Sequence, residues 1–177
     1  MTMAVIKVIS KKYVKTESIE YLIRYATKSC KTNGCRAIGV YPNDPEKMIE
    51  QIKEMKRLYE KTDSIRQVRH IIISFSKREV DRITLNQIPF VAFDIAKFYG
   101  NRYQICYGVH YDTDDVHIHF IQNNVNYIDG KLYSGSPMEL ESFKRYVNSV
   151  IYNYAPELNP VQTIEDTCSD MIWRNVV

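Results

Sequence analysis

The stretch from Tyr103 to Asn123 constrains this chain more than any other, because it holds three of the four histidines at the fold of a predicted hairpin. Tyr103–His110 and Val116–Asn123 read as two β runs around the polar turn Tyr111-Asp112-Thr113-Asp114-Asp115. Successive strand side chains point to opposite faces, so His117 and His119 project from the same side. The turn brings His110 back beside them. A cluster of three imidazoles on a sheet is therefore expected, sharing its face with Cys106, Gly108, Ile121 and Asn123. The small residues there leave room for something to lie across the sheet. Three neutral imidazoles suit a divalent ion that keeps positions open for a substrate oxygen. The plainer alternative is a surface pair or a hydrogen-bonded core pair, the commoner use of His-x-His on a strand.

Around this hairpin, Ala4–Ile9 reads as a first strand, and Ser18 caps a short helix running through Tyr21, Tyr25 and Ala26. Lys28–Asn43 is polar, contains Gly34 and Gly39 and has neither period, which predicts a loop able to act as a flap. Pro45 opens a second helix with an apolar stripe of Met48, Ile52, Met55 and Tyr59. His70–Ser76 is a strong strand. Thr84-Leu85-Asn86-Gln87 has the capping-box spacing of a third helix ending near Gly100, with Pro89 in its first turn. Asp129-Gly130 marks a second hairpin, and Leu140, Phe143, Val147, Ile151 and Tyr154 mark a last amphipathic helix. These elements supply too few helical crossovers for a doubly wound parallel sheet. They predict an α+β two-layer sandwich, a mostly antiparallel central sheet of about five strands with helices packed on it. Residues 1–160 form the expected domain and 161–177 a tail.

A chain of 177 residues, 45% of them hydrophobic, builds a core without disulfide staples. The four cysteines, Cys30, Cys35, Cys106 and Cys168, have no zinc-knuckle spacing and do not form a disulfide framework; Cys106 reads as a buried thiol. No stretch approaches the roughly 18 apolar residues of a membrane helix, and the N-terminus has no signal-peptide pattern, so a cytoplasmic location is expected. A net charge of +3 is mild. Attraction to nucleic acid would have to come from local groups, either Lys28, Lys31 and Arg36 or Lys53, Lys56 and Arg57, with Tyr41, Tyr103 and Tyr111 available for base stacking.

Three separated segments, in order, resemble the mobilisation relaxases of the HUH endonuclease superfamily. Leu22-Ile23-Arg24-Tyr25 followed by Lys31-Thr32 is similar to the family's tyrosine motif, although Ala26-Thr27-Lys28-Ser29-Cys30 stands where a stretch containing Asn-Pro is often found. Arg69-His70-Ile71-Ile72-Ile73-Ser74-Phe75 is similar to its His-x-x-x-Ser-Phe strand. His110-x-Asp112-Thr113-Asp114-x-x-His117-x-His119-x-x-x-Asn123 closely matches its three-histidine motif, continued by Val125-Asn126 and Gly130-Lys131.

The resemblance implies an HUH/RRM-like fold and a single-strand DNA nickase acting at a plasmid or mobile-element transfer origin, possessing a 5′-phosphotyrosine intermediate and assisted by accessory mobilisation proteins. A divalent metal, Mn²⁺ or Mg²⁺, would sit on His110, His117 and His119 and act on the scissile phosphate as a Lewis acid. Tyr25 is the implied nucleophile and Tyr21, one turn away on the same helix face, its rival. A phenol titrates at about 10, so it needs a base or a nearby cation at neutral pH. Asp112 or Asp114 fits that role, or that of orienting a metal-bound imidazole, or only that of an Asx turn. Ser74, Asn123, Lys28, Lys31 and Arg36 are the implied DNA contacts. His70 shares the parity of Ser74 but is not counted as a ligand. The competing readings are a non-catalytic RRM-like module that binds single-stranded nucleic acid, a metal-dependent hydrolase using activated water, and a replication initiator of the same superfamily.

Overall fold

The computed structural model describes residues 4–9, 13–28, 36–63 and 66–164. Apolar alternation becomes strand at β1 (Val5–Val8), and an amphipathic run becomes helix α1 (Glu17–Lys28). Then follow β2 (Arg36–Ile38), α2 (Pro45–Leu58), β3 (Val68–Phe75), α3 (Lys77–Ile83), α4 (Ile88–Gly100), β4 (Tyr103–His110), β5 (Val116–Asn126), α5 (Pro137–Tyr154) and β6 (Gln162–Ile164). The strands form one sheet in the order β2-β4-β5-β3-β1-β6. All pairings are antiparallel except that of β6 with β1.

Strand parity sorts the core into two bodies. Ile71, Ile73, Phe75, Ile105, Ile118 and Phe120 point to one face, where α4, α5 and the short α3 cover them. Val68, Cys106 and Ile121 point to the other and meet Leu22, Ile23 and Ala26 of α1 and Met48 and Ile52 of α2. Burying each large aliphatic side chain contributes about 1.5–3 kcal/mol. The apolar stripe of α1 therefore fixes that helix on the face that also carries the histidines. The α+β sheet with packed helices is as expected. It has six strands rather than about five, and α1 and α2 add a partial helical layer on its second face.

Four local differences have physical causes. Ser76 and Glu79 close a capping box that the sequence reading passes over, and this box starts α3. Thr84 ends α3 with φ +59°, and Pro89 takes the second position of α4, so the third expected helix begins at Ile88 rather than at Thr84. Part of the expected loop Lys28–Asn43 adds β2 to the edge of β4, because Ala37 and Ile38 have apolar surface to cover; Lys31, Cys30 and Cys35 lie outside the described residues. Finally, β6 extends the sheet past residue 160, while Cys168 and Trp173 lie outside the described residues. No described helix is long and apolar enough to cross a membrane.

Candidate metal and nucleophile site

The hairpin register assembles the site. His110 pairs directly with His117 and Gly108 with His119, while β3 sets Ser74 opposite His117 and Ile72 opposite His119. Glycine has no side chain, so the His110 ring can lie beside that of His119, with centroids 4.3 Å apart and planes tilted by 36°. The His117 and His119 centroids are 6.3 Å apart. All three rings are buried. His70 faces Ile121 across the β3–β5 pair and so lies diagonal to His119, at 5.2 Å between centroids.

The neighbours fix which ring nitrogen carries a proton. His110 Nε2 faces the carbonyl oxygen of Ala26 at 3.0 Å, and since a carbonyl only accepts, Nε2 donates and Nδ1 holds the lone pair. Thr113 donates its one hydroxyl proton to the Asp115 carbonyl at 2.7 Å. Toward His117 Nδ1, 3.2 Å away, the same oxygen accepts, which puts the lone pair of His117 on Nε2. His119 Nδ1 meets His70 Nε2 at 3.0 Å. Burial lowers the pKa of His117, with Asp115 pulling partly in the other direction. Burial and the neighbouring imidazoles hold His119 well below its usual value, and burial pushes His70 down to about 3. His70, His117 and His119 are thus neutral at physiological pH, as a metal ligand must be.

Among the described residues, no three His, Cys, Asp or Glu side chains are arranged so as to hold a metal ion. The fit to a cation rests on the donor chemistry instead. The cluster presents buried nitrogen donors on one sheet face, two of them in tautomers fixed by outer hydrogen bonds.

α1 adds the phenol. Leu22, Ile23 and Ala26 bury the helix's inner stripe, which leaves Tyr25 at its rim, half-buried. Its ring stands edge-on to His110 at 5.4 Å and to His119 at 5.2 Å. Tyr21 stacks on the outer side of Tyr25 at 6.4 Å and 12° and is 55% exposed. Burial raises the pKa of Tyr25, and the carboxylate of Asp112 raises it further. Asp112 and Asp115 also act on His117; Asp112 and Asp114 are both exposed on this turn.

The other expected contacts divide. Ser74 is half-buried and faces the cluster; Lys28 is exposed at the end of α1 and Arg36 on the edge strand β2. Lys31 lies outside the described residues. Asn123 does not reach the surface: it is fully buried and donates to Gln104 Oε1 at 2.8 Å. The second basic group is likewise corrected, because Lys56 is 1% exposed and donates to Asn124, while Lys53 pairs with Glu20 and Arg57 with Glu54. Tyr103 is in the core and Tyr111 packs on it, which leaves exposed Tyr41 from that aromatic set. The Ala26 carbonyl, Thr113 and the His70 contact were missed. The only sequence signal for Thr113 was its place in a turn whose residues bond back on one another.

The family model of the MobA/VirD2-like relaxase nuclease domain matches residues 21–155. No curated protein matches. Among solved structures, the chain is similar to the MobM relaxase domain bound to 26-nucleotide oriT DNA of pMV158, with a TM-score of 0.64, 17% identity and coverage of 90% of this chain and 91% of that one. A Mn-bound crystal structure of the MobM domain at pH 6.8, also with oriT DNA, gives 0.61 at 14% identity, covering 96% and 94%. A chain from a structural study of vancomycin resistance transfer in Staphylococcus aureus gives 0.59 at 9% identity, covering 86% and 92%.

Proposed function

The chain belongs to the MobA/VirD2-like relaxase family, whose nuclease domain it carries, and on that footing we propose that Tyr25 is the nucleophile with which this DNA-nicking enzyme cleaves one strand at a plasmid transfer origin. The observation that carries the proposal is the edge-on packing of Tyr25 against both His110 and His119. Tyr21 has the outer place in the tyrosine stack and an exposed ring, which suits an unpaired base better than a scissile phosphate.

His110, His117 and His119 would hold a divalent ion, Mn²⁺ or Mg²⁺. When bound, it would supply positive charge to the non-bridging oxygens of the scissile phosphate and to the phenolate. The chain's own residues do the rest. Tyr25 Oη attacks phosphorus in line; the new bond is phosphorus to tyrosine oxygen, and the bond that breaks runs from phosphorus to the 3′ oxygen. Asp112, close enough to oppose a phenolate at Tyr25, takes the phenolic proton, and the departing 3′ oxygen takes a proton from solvent water to end as a hydroxyl. The raised pKa of Tyr25 keeps the phenol protonated until substrate and cation are both present. The ester retains the energy of the phosphodiester, so the reverse attack reseals the strand. Ser74, Lys28 and Arg36 would contact the DNA backbone, and Lys31 joins them by its place in the sequence motif. The substrate is single-stranded origin DNA, met in the cytoplasm together with accessory mobilisation proteins.

Incubation with origin oligonucleotides and Mn²⁺ tests this through a covalent protein–DNA band. Wild type and Tyr21→Phe should form it; Tyr25→Phe should lose it by at least about 10³-fold. A band undiminished in Tyr25→Phe would refute the assignment, and nicking with no band in any variant would point to activated water.

A further inference from the structure

The buried imidazole of His70 is used by none of the steps above, yet its Nε2 lies 3.0 Å from Nδ1 of His119. The tautomers of His110 and His117 are fixed by oxygens that can only accept in those directions. His119 is different. Its Nδ1 faces another imidazole nitrogen, His70 Nε2, and either ring can own the shared proton. The two arrangements have opposite consequences. If His119 donates, its Nε2 keeps a lone pair and can bind a cation; His70 then carries its proton on Nδ1, where Tyr13 Oη lies 3.4 Å away and can accept. If His70 donates, His119 is protonated on Nε2 and is no ligand, and His70 Nδ1 must accept from the tyrosine instead.

The framework around this chain of contacts is built rather than incidental. His70 is 5% exposed and sits inside β3, where its carbonyl accepts from Ile9 N at 3.0 Å and its backbone stands opposite Ile121 of β5. Tyr13 bridges Val68, and its carbonyl accepts from Gln67 N at 2.6 Å, which holds its ring within 6.3 Å of that of His70.

We infer that His70 is a positioning residue: it accepts from His119 Nδ1 and so holds His119 in the tautomer that can bind a cation, with Tyr13 accepting from His70 at the far end. The inference rests on the reading that His119 is a ligand. The direction of the His119–His70 hydrogen bond can be measured without any metal.

Two-bond ¹H–¹⁵N correlation spectra of the cation-free protein at neutral pH should show the His119 proton on Nδ1. A proton on Nε2 would overturn the inference. In His70→Phe, which removes the acceptor, Mn²⁺ affinity should fall about 10- to 100-fold, as it does when the partner behind a metal-bound histidine is lost. His70→Gln, whose amide oxygen can accept from Nδ1–H, should recover most of that loss. Equal Mn²⁺ affinity in wild type and His70→Phe would overturn the inference. Tyr13→Phe keeps the ring and removes the hydroxyl that accepts from His70; it should weaken Mn²⁺ binding about two- to tenfold and carries the test if His70→Phe does not fold. If wild type binds no Mn²⁺, the metal reading fails by itself, and the spectrum still decides whether His70 accepts from His119.

Discussion

At one end of the α1–α2 side of the sheet, buried side chains spend their polar groups on one another. Asn123 donates to Gln104 and accepts from Val125 N at 3.3 Å, while Gln104 donates to the carbonyls of Gly39 and Gln51 at 3.3 and 3.4 Å. Next to them Lys56 donates to Asn124 Oδ1 at 2.5 Å, and Asn124 donates to the carbonyl of Arg66. At the other end of the same strands, His110 and His117 each use one ring nitrogen to fix the ring and keep a lone pair on the other. Burial acts on both ends, but it leaves amides locked into local structure and imidazoles able to do chemistry. An amide engaged at both oxygen and nitrogen is oriented toward its neighbours in the core, whereas an imidazole with one proton placed has become a directed donor. Depth below the surface alone does not separate scaffold from site.

The sharpest way to break this contrast is His119→Ala. It should remove Mn²⁺ binding and reduce nicking by at least about 10³-fold, since a ligand and its stabilising charge go together. The folded structure should remain, as judged by its far-UV circular dichroism. Retained Mn²⁺ affinity would place the cation elsewhere and leave the histidine end as ordinary core.

At the other end, Asn123→Ala should do the reverse. It strands Gln104 Oε1 and Val125 N in a buried setting, for a destabilisation of about 2–3 kcal/mol. Denaturant melts would read that loss, while Mn²⁺ affinity and covalent-adduct yield, measured well below the melt, should stay at wild-type levels. A large drop in adduct yield without loss of stability would put Asn123 back among the DNA contacts.

Lys56 is a charge buried at the scaffold end, and burial pulls its pKa down to about 7 from 10.5. Below pH 7 both the folded and the unfolded chain hold the proton, and the fold bears the full desolvation cost. Between 7 and 10.5 the unfolded chain binds more protons than the folded one, so this residue's contribution to stability rises with pH across that window. Lys56→Met should therefore stabilise the protein by about 1–3 kcal/mol near pH 6, less any loss at Asn124, and the gain should shrink steadily toward pH 10. Melting curves of both proteins at a series of pH values measure it. A gain that does not change with pH would mean that the ammonium is solvated.

The same contrast explains what was legible in the sequence. Period-two alternation carried the hairpin, the shared face of His117 and His119 and the return of His110, because those follow from backbone geometry alone. Tyr25 and Tyr21 were found through a family resemblance; only the packing of α1 distinguishes the ring against the histidines from the ring facing outward. Alternation and charge do not say which polar groups will be covered, and so give no sign that Asn123 and Lys56 are buried. His70 and Thr113 were out of reach for another reason: their roles depend on hydrogen bonds that close only when a third strand and a turn are in register. α3 escapes the sequence reading because Ser76 is taken there only as the end of a strand and Thr84 as the start of a helix, whereas Ser76 starts α3 and Thr84 ends it.

Ser74 lies between the two behaviours, half-buried and opposite His117, and the smallest expected effect belongs to it. Its hydroxyl can donate to a phosphate oxygen at the mouth of the histidine end. One neutral hydrogen bond contributes about 0.5–1.5 kcal/mol, so Ser74→Ala should raise KM for an origin oligonucleotide about two- to tenfold. kcat should hold, because the contact is made equally before and during attack. Mn²⁺ affinity should hold as well, since the hydrogen bonds that orient His110 and His117 come from Ala26 and Thr113. If kcat fell with KM unchanged, Ser74 would be acting on the reacting atoms, and the boundary between scaffold and site would move one residue deeper into β3.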